Sequence, residues 1–292
     1  MNIEIANGNG FENHSFFVKI IRIITVPILN SLPSQWIQKI ARKSSQDASK
    51  VLDKVGSTHA LEVMYSRHRR SLFSRGIPQG IADWFWHHAI SQLKAVRNRL
   101  KIVEDSLEEE INERIVSREK EINILTIGGG SARAIVQTVH KLLKKNPDVK
   151  IKVTNIDLDF SAINLGKETA KVFGVENMFN WIHERADHVK NLIPENSADI
   201  VEMVGLMDYF SNEKSENILN QIYSILKKDG LLILANIHPN PEMIFVRKTG
   251  WPAMYYRTPK NIASLLESSG FNKETKVIFE PLKVHMVALS KK

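Results

Sequence analysis

The chain has 292 residues, 43% of them hydrophobic and 25% charged, which is enough to bury a sizeable core in one large domain or two smaller ones. It has no cysteine, which excludes disulfides, cysteine–zinc sites and a thiol nucleophile, and agrees with a reducing cytoplasm as its location. The net charge of +8 favours anionic partners, whether RNA, a membrane surface or acidic small molecules, without selecting one.

Residues 1–12, with Asn7-Gly8-Asn9-Gly10, show no periodicity and are expected to fray. The apolar run over residues 16–29 is interrupted by Lys19, Arg22 and Pro27, so it is too short and too charged to span a bilayer or to serve as a secretory signal. It reads either as an amphipathic helix packed on its own domain or as a basic segment that touches a membrane surface or an acyl chain. From residue 13 to residue 118 nearly every segment has a helical pattern, with breaks at Pro27, Pro33, Gly56 and Gly76-Ile77-Pro78. Residues 82–100 read as one helix, and Trp84, Phe85 and Trp86 make its start too aromatic to stand free in water. Arg67, Arg69, Arg70 and Arg75 form the densest basic cluster, read first as a solvated face and second as a phosphate-binding patch. The expected organisation is a helical cap over residues 1–118 and an α/β domain over residues 119–292.

Beyond residue 118, short apolar runs alternate with helical patterns. Strands are expected at 122–127, 151–156, 178–183, 199–204, 231–236, 275–279 and 284–289. Helices between the first five imply a parallel sheet covered on both faces, and the short break at residues 280–283 suits an antiparallel hairpin at one edge. Thr258, Pro259 and Gly270 bracket a helix just before that hairpin.

The stretch from Ile122 to Arg133 organises the rest. A buried strand ends in Gly128, Gly129 and Gly130, and a helical pattern follows at once, so backbone N–H groups at a helix start can face a ligand. Asp157 ends the next strand, where a carboxylate can accept two ribose hydroxyl bonds. Asp159 reads as the cap of the following helix. The strand through Val204 stops at Gly205 and then offers Asp208 and Tyr209, at the sheet edge where open α/β folds place ligands. The bland alternatives are a packing role for Tyr209 and a helix-capping role for Asp208. His238, at another strand end, reads either as a general base on an acceptor hydroxyl or as a hydrogen-bond partner of a loop carbonyl. Arg97 and Arg99 lie two residues apart on a helix and point to different faces, so at most one enters a cleft. An arginine there can clamp a carboxylate, and the plain alternative is a salt bridge between helices. The ten histidines have no metal-ligand spacing, so no metal is expected.

The Gly128–Gly130 turn resembles the first motif of class I S-adenosylmethionine (SAM) methyltransferases, with Thr126 in place of the usual acidic residue. That resemblance implies a Rossmann-like, seven-stranded, mostly parallel sheet with an antiparallel edge hairpin and a helical N-terminal cap. It implies SAM held by Gly128, Gly129, Gly130, Ser131, Asp157, Leu158 and Gly205, with Ala186-Asp187 at the adenine-amino position. Four further blocks occur in order: Glu62-Val63-Met64-Tyr65, Ala95-Val96-Arg97-Asn98-Arg99, Gly205 to Phe210, and Trp251 to Pro259. Together they resemble the bacterial methyltransferases that form 3-hydroxy fatty acid methyl ester signals. The likeness covers roughly residue 60 to the end, and a Lys-Pro-Arg-Gly-Tyr-type segment of those enzymes has no counterpart here.

The resulting expectation is methyl transfer from SAM to a small, acyl or carboxylated acceptor, with Tyr65, Arg99, Asp208, Tyr209 and His238 at the reacting end. A carboxylate acceptor needs no base, whereas a hydroxyl or amine does. Three rivals stand beside it. Asn155-Ile156-Asp157-Leu158-Asp159 also resembles nicotianamine synthases, which transfer aminobutyl groups. The basic charge alone favours an RNA methyltransferase, without an accompanying RNA-binding motif. The third rival is a non-catalytic SAM-binding protein.

Overall fold

The computed structural model describes residues 1–65, 76–119, 121–272 and 274–292, so the Arg67–Arg75 cluster lies outside the described residues. A short strand, β1 (Asn2–Ile5), precedes helices α1 (Phe16–Ser31), α2 (Ser34–Ser44), α3 (Gln46–Asp53), α4 (Thr58–Tyr65), α5 (Ile77–Ala89) and α6 (Ser91–Val116). The alternating part follows: β2 (Ile122–Ile127), α7 (Arg133–Lys145), β3 (Ile151–Asp157), α8 (Phe160–Val172), β4 (Phe179–His183), α9 (Val189–Leu192) and β5 (Ala198–Val204). It closes with α10 (Asn212–Ile225), β6 (Leu226–Ile237), α11 (Met243–Lys248), α12 (Pro259–Ser268), β7 (Lys276–Phe279) and β8 (His285–Lys291).

The strands form one sheet in the order β1-β7-β8-β6-β5-β2-β3-β4, in which only β8 runs antiparallel to its neighbours. Strand order reverses between β2 and β5, so the carboxyl ends of these two strands border the crevice where such sheets bind ligands. Alpha helices cover both faces. Ile135, Val139 and Leu142 of α7 pack on one face with Leu107 and Ile111 of α6, and Ile218, Ile222 and Leu266 from α10 and α12 pack on the other. The expected seven-stranded α/β architecture is present, with one addition. Residues 2–5 do not fray but pair in parallel with β7, which makes β1 the edge strand and moves the β7–β8 hairpin inward. The following segment is fastened by Glu12, whose carboxylate accepts from Arg97 Nε at 2.6 Å, and whose backbone pairs with the Asn98 amide.

Helix α6 has 26 residues, about 39 Å at 1.5 Å per residue. Its first turns, with Leu93 and Val96, share a core with Ile37, Val51, Met64 and Trp86 of the preceding helices. Its later turns belong to the sheet's own core. Each such fully buried aliphatic side chain contributes about 1.5–3 kcal/mol, so α6 ties the helical region to the sheet along its whole length.

Two local expectations fail. Pro27 does not end α1 but sits inside it. It lies on the solvent side, near the 73%-exposed Ile23, where water can take the carbonyl bond that a proline nitrogen leaves unmade. Residues 82–100 are not one helix, because the chain turns extended at Ile90 between α5 and α6. The break is held from a distance by Glu242. Its buried carboxylate accepts from the backbone N–H groups of Ser91 (2.9 Å) and Gln92 (3.3 Å), and it pairs with Arg22, which also reaches the Ala89 carbonyl. Replacing Glu242 with Gln strips the charge from a mostly buried pair and weakens an N-terminal cap. We expect a loss of about 3 kcal/mol in urea unfolding, partly restored when Arg22 is also replaced by Met.

Candidate active site

The β2–α7 turn is built by packing as much as by torsion. Gly128 and Gly130 adopt positive φ of 64° and 56°, which L side chains rarely accept. Gly129 lacks room: a Cβ there would lie 2.2 Å from Thr126 Oγ1 and 2.4 Å from Asn155 Oδ1. Glycine is required at Gly129 by the protein's own strands, not by the approach of a ligand. The turn is fixed to the next strand because Asp157 Oδ2 accepts the Gly130 N–H at 2.7 Å, while Oδ1 accepts the Asp159 N–H at 2.8 Å. Burial pushes the Asp157 pKa up, and these backbone bonds oppose the shift. Asp159 caps α8 by accepting from the N–H groups of Ser161 and Ala162.

A cavity of about 300 Å³ lies over the carboxyl ends of β2, β3 and β5. It brings together Gly128, Asp157, Leu158, Ala186, Asp187, Gly205 and Tyr209, with Thr58 and Leu61 of α4 covering it. Asp187 takes two bonds from Arg185, at 2.9 and 2.7 Å, and the guanidinium holds its carboxyl below the ordinary range. Gly129, Gly130, Ser131 and Tyr65 instead line a smaller adjoining pocket, which shares Thr58, Leu61, Gly128 and Val204 with the first. In that pocket Ser131 donates to Glu62 at 2.9 Å, and Glu62 also pairs with Arg133.

A third cavity, about 60 Å³ and mostly apolar, sits between the helical region and the sheet. It shares Leu61, Gly205, Tyr209 and Trp251 with the large cavity, and Trp251 Nε1 donates to the Tyr209 hydroxyl at 2.9 Å across that junction. Arg99 and Asp208 line this cavity. Arg97 does not, because it is spent on Glu12 and the carbonyls of Met64 and His87. Asp208 does not cap α10, a role taken by Ser211, but accepts the Ile237 N–H at 2.7 Å. His238 lines none of these three cavities. Its ring packs edge-on against Phe279 with centroids 5.0 Å apart.

Four residues lining the apolar cavity carry buried polar atoms without a hydrogen-bond partner: Trp86 Nε1, Gln92 Nε2, Arg99 Nε and both ring nitrogens of His285. All four residues are at most 7% exposed. Buried orphans of this kind are rare and costly, and five of them on four residues around one space mark it as a place where a polar group belongs. Burial pushes the Tyr209 hydroxyl up to about 12 and keeps it protonated at neutral pH, while His285 is driven well below its usual value and stays neutral. Burial also raises Tyr65 and Asp208, in both cases against the nearby Arg99 charge. Sequence reasoning did not single out His285, Gln92 or Glu202. For Glu202 the signal was a carboxylate set among apolar residues within strand β5, and for His285 a polar residue opening the apolar run of β8.

The chain matches, over residues 54–292, the family model described as "Putative methyltransferase". Among curated proteins it is 23% identical over 176 residues to the tRNA N(3)-cytidine methyltransferase of Bos taurus, covering 56% of this chain and 45% of that protein. It is likewise 23% identical over 180 residues to O-methyltransferase 3 of Dictyostelium discoideum, covering 56% and 39%. The chain thus spans less than half the length of either relative. Among solved structures, a "possible exported protein" of Bordetella parapertussis superposes with a TM-score of 0.68 at 13% identity, over 98% of this chain and 90% of that one. The magnesium protoporphyrin IX methyltransferase of Synechocystis PCC 6803, solved with bound SAM, gives a TM-score of 0.50 at 11% identity over 68% and 83%. These structural likenesses establish the shared α/β fold.

Glu202 supplies a test of the site's electrostatics. Its carboxyl is buried beneath the turn, accepts from Thr126 and is raised from 4.5 to about 7, chiefly by burial. The folded chain keeps this proton between those values and the unfolded chain releases it, so its contribution to stability is present below pH 4.5 and lost as pH rises to 7. Glu202→Gln should flatten the pH dependence of urea unfolding in that window and gain on the order of 3 kcal/mol over the wild type above it. An unchanged slope would mean that Glu202 does not change its protonation on unfolding in this window.

Proposed function

The chain belongs to this methyltransferase family, and we propose that it transfers a methyl group from SAM in the large cavity to an acceptor in the apolar one. The observation that carries this reading is the common wall: Gly205, Tyr209, Trp251 and Leu61 border both spaces. Asp157, whose oxygens keep free lone pairs beyond their backbone bonds, is suited to the ribose hydroxyls, and Leu158 and Ala186 to the faces of an adenine. SAM supplies an activated methyl group when bound, so the chain's task is to align the acceptor with it and keep water out.

The acceptor best suited to the second cavity has an acceptor-only head, such as a carboxylate, and an apolar body. Arg99, Trp86 and Gln92 offer donors that such a head would satisfy, and Arg99 brings the charge. Neither Tyr209, protonated at neutral pH, nor neutral His285 is a strong base, and an ionised carboxylate needs none. Trp86, Ile90 and Phe245 form the far wall and also line a further apolar cavity of about 340 Å³ between α1, α2 and α5. An acyl body can extend in that direction, with each buried methylene contributing about 0.8 kcal/mol. A second reading, RNA as acceptor, is favoured by the +8 charge and by the tRNA-modifying relative.

Two measurements test the proposal. In calorimetry, Asp157→Ala should weaken SAM binding by about 1–3 kcal/mol; unchanged affinity in a folded variant would move the cofactor elsewhere. In assays of S-adenosylhomocysteine release, turnover should rise with acyl length and then fall. Arg99→Met should raise KM for carboxylated acceptors about tenfold or more while leaving SAM affinity unchanged. Turnover of RNA with none of carboxylic acids would replace the acyl reading by the second one.

A further inference from the structure

The outward face of α1 is apolar where a surface helix is ordinarily polar. Phe16 (80% exposed), Phe17 (67%), Ile20 (44%), Ile23 (73%), Ile24 (63%) and Ile28 (52%) lie within one broad stripe of its helical wheel, together with the exposed Pro27. The opposite stripe, with Val18 and Val26, is buried and is fixed by the Arg22–Glu242 pair. The apolar surface continues onto α2, where Trp36 (61%) and Ile40 (53%) stand one turn apart beside the exposed Lys39 and Lys43. Ile81 of α5, 58% exposed, shares with Ile40 the lining of the 340 Å³ apolar cavity, so that cavity adjoins the same surface.

We propose that this α1–α2 face docks on an anionic lipid bilayer. A second copy of the chain would also cover apolar surface, but the charge pattern favours the bilayer. Residues 13–46 contain no aspartate or glutamate and five basic residues: Lys19, Arg22, Lys39, Arg42 and Lys43. Arg22 and Arg42 are bound to Glu242 and Asp53, whereas Lys19, Lys39 and Lys43 are exposed around the apolar stripe. Apolar side chains flanked by lysines and a tryptophan are the composition of helices that lie in a membrane interface. No helix among the described residues is long and apolar enough to cross a membrane, which fits a chain that lies on the surface. The adjoining cavity can then receive an apolar chain drawn from the leaflet. The docking itself does not depend on the methyl-transfer reading.

The experiment is flotation of the full chain with phosphatidylcholine vesicles, with and without phosphatidylglycerol. The chain should float with the anionic vesicles, less so as salt rises, and stay behind with the neutral ones. Ile20→Ser with Ile24→Ser should weaken binding tenfold or more, and each of Lys19→Gln, Lys39→Gln and Lys43→Gln about fivefold. These side chains are exposed, so circular dichroism should show the fold retained. No flotation at low salt, or equal flotation of the Ile20/Ile24 variant, overturns the proposal. So does a dimer dispersed by the same variant without vesicle binding, which would assign the face to a second copy.

Discussion

Helix α6 belongs to two hydrophobic cores at once, and the rest of the structure depends on that. Its first turns are packed into the helical N-terminal region and its last turns into the sheet. Between them, facing the carboxyl end of β5, stands Arg99, 3% exposed and with its guanidinium nitrogens 3.6 Å from the place a Cβ would take on Gly205. A helix fixed at both ends cannot withdraw this cation, which lies beside the turn that Gly205 makes at a positive φ of 83°. The register of α6 is set at its start by Glu242 and near its end by Arg114, which joins Glu110, Glu119 and Asp199. Charges that are expensive to bury unpaired thereby fix where the sheet edge meets the cap.

The two sides of the site are built from different materials. The large cavity is bordered by backbone turns and strand-end carboxylates, whose positions follow from strand pairing and helix capping. The apolar cavity is bordered by the helical region on one side and by strand ends on the other, and four of its lining residues keep buried polar atoms without partners. The first arrangement is common to α/β folds that bind nucleotides, whereas the second is particular to this chain, and function resides in such particulars more than in the fold. A pre-formed donor set in a mostly apolar, low-dielectric space holds an anionic group more firmly than the same donors in water would.

Much of this was legible in the sequence, for physical reasons that differ by element. Strands β2 and β5 announce themselves because buried parallel strands are short apolar runs, β3 and the edge strand β4 because apolar residues alternate with polar ones, and Asp159 and Thr258 read correctly as helix caps. The break at Ile90 was not legible, because isoleucine is no helix breaker. It is made by a carboxylate 151 residues away in sequence. Strand β1 was hidden for the same reason, since four residues gain a conformation only from β7, near the other end of the chain. The spacing of Arg97 and Arg99 indicated two different faces, but not that Glu12 would occupy one of them. His238 looked like a site residue because it follows a strand end, yet β6 lies farther from the β2–β5 reversal than Gly128 or Gly205, and the three site cavities pass it by.

On the proposed function, the donor and acceptor spaces meet at the wall made by Gly205, Tyr209 and Trp251. The most direct measurement is a crystal structure of the chain with S-adenosylhomocysteine. The adenosine should lie beside Leu158 and Asp157, and the sulfur should face Tyr209 and Gly205, toward the apolar cavity. A sulfur turned away from that junction, toward the pocket of Gly129 to Ser131 or toward open solvent, would contradict the proposed function.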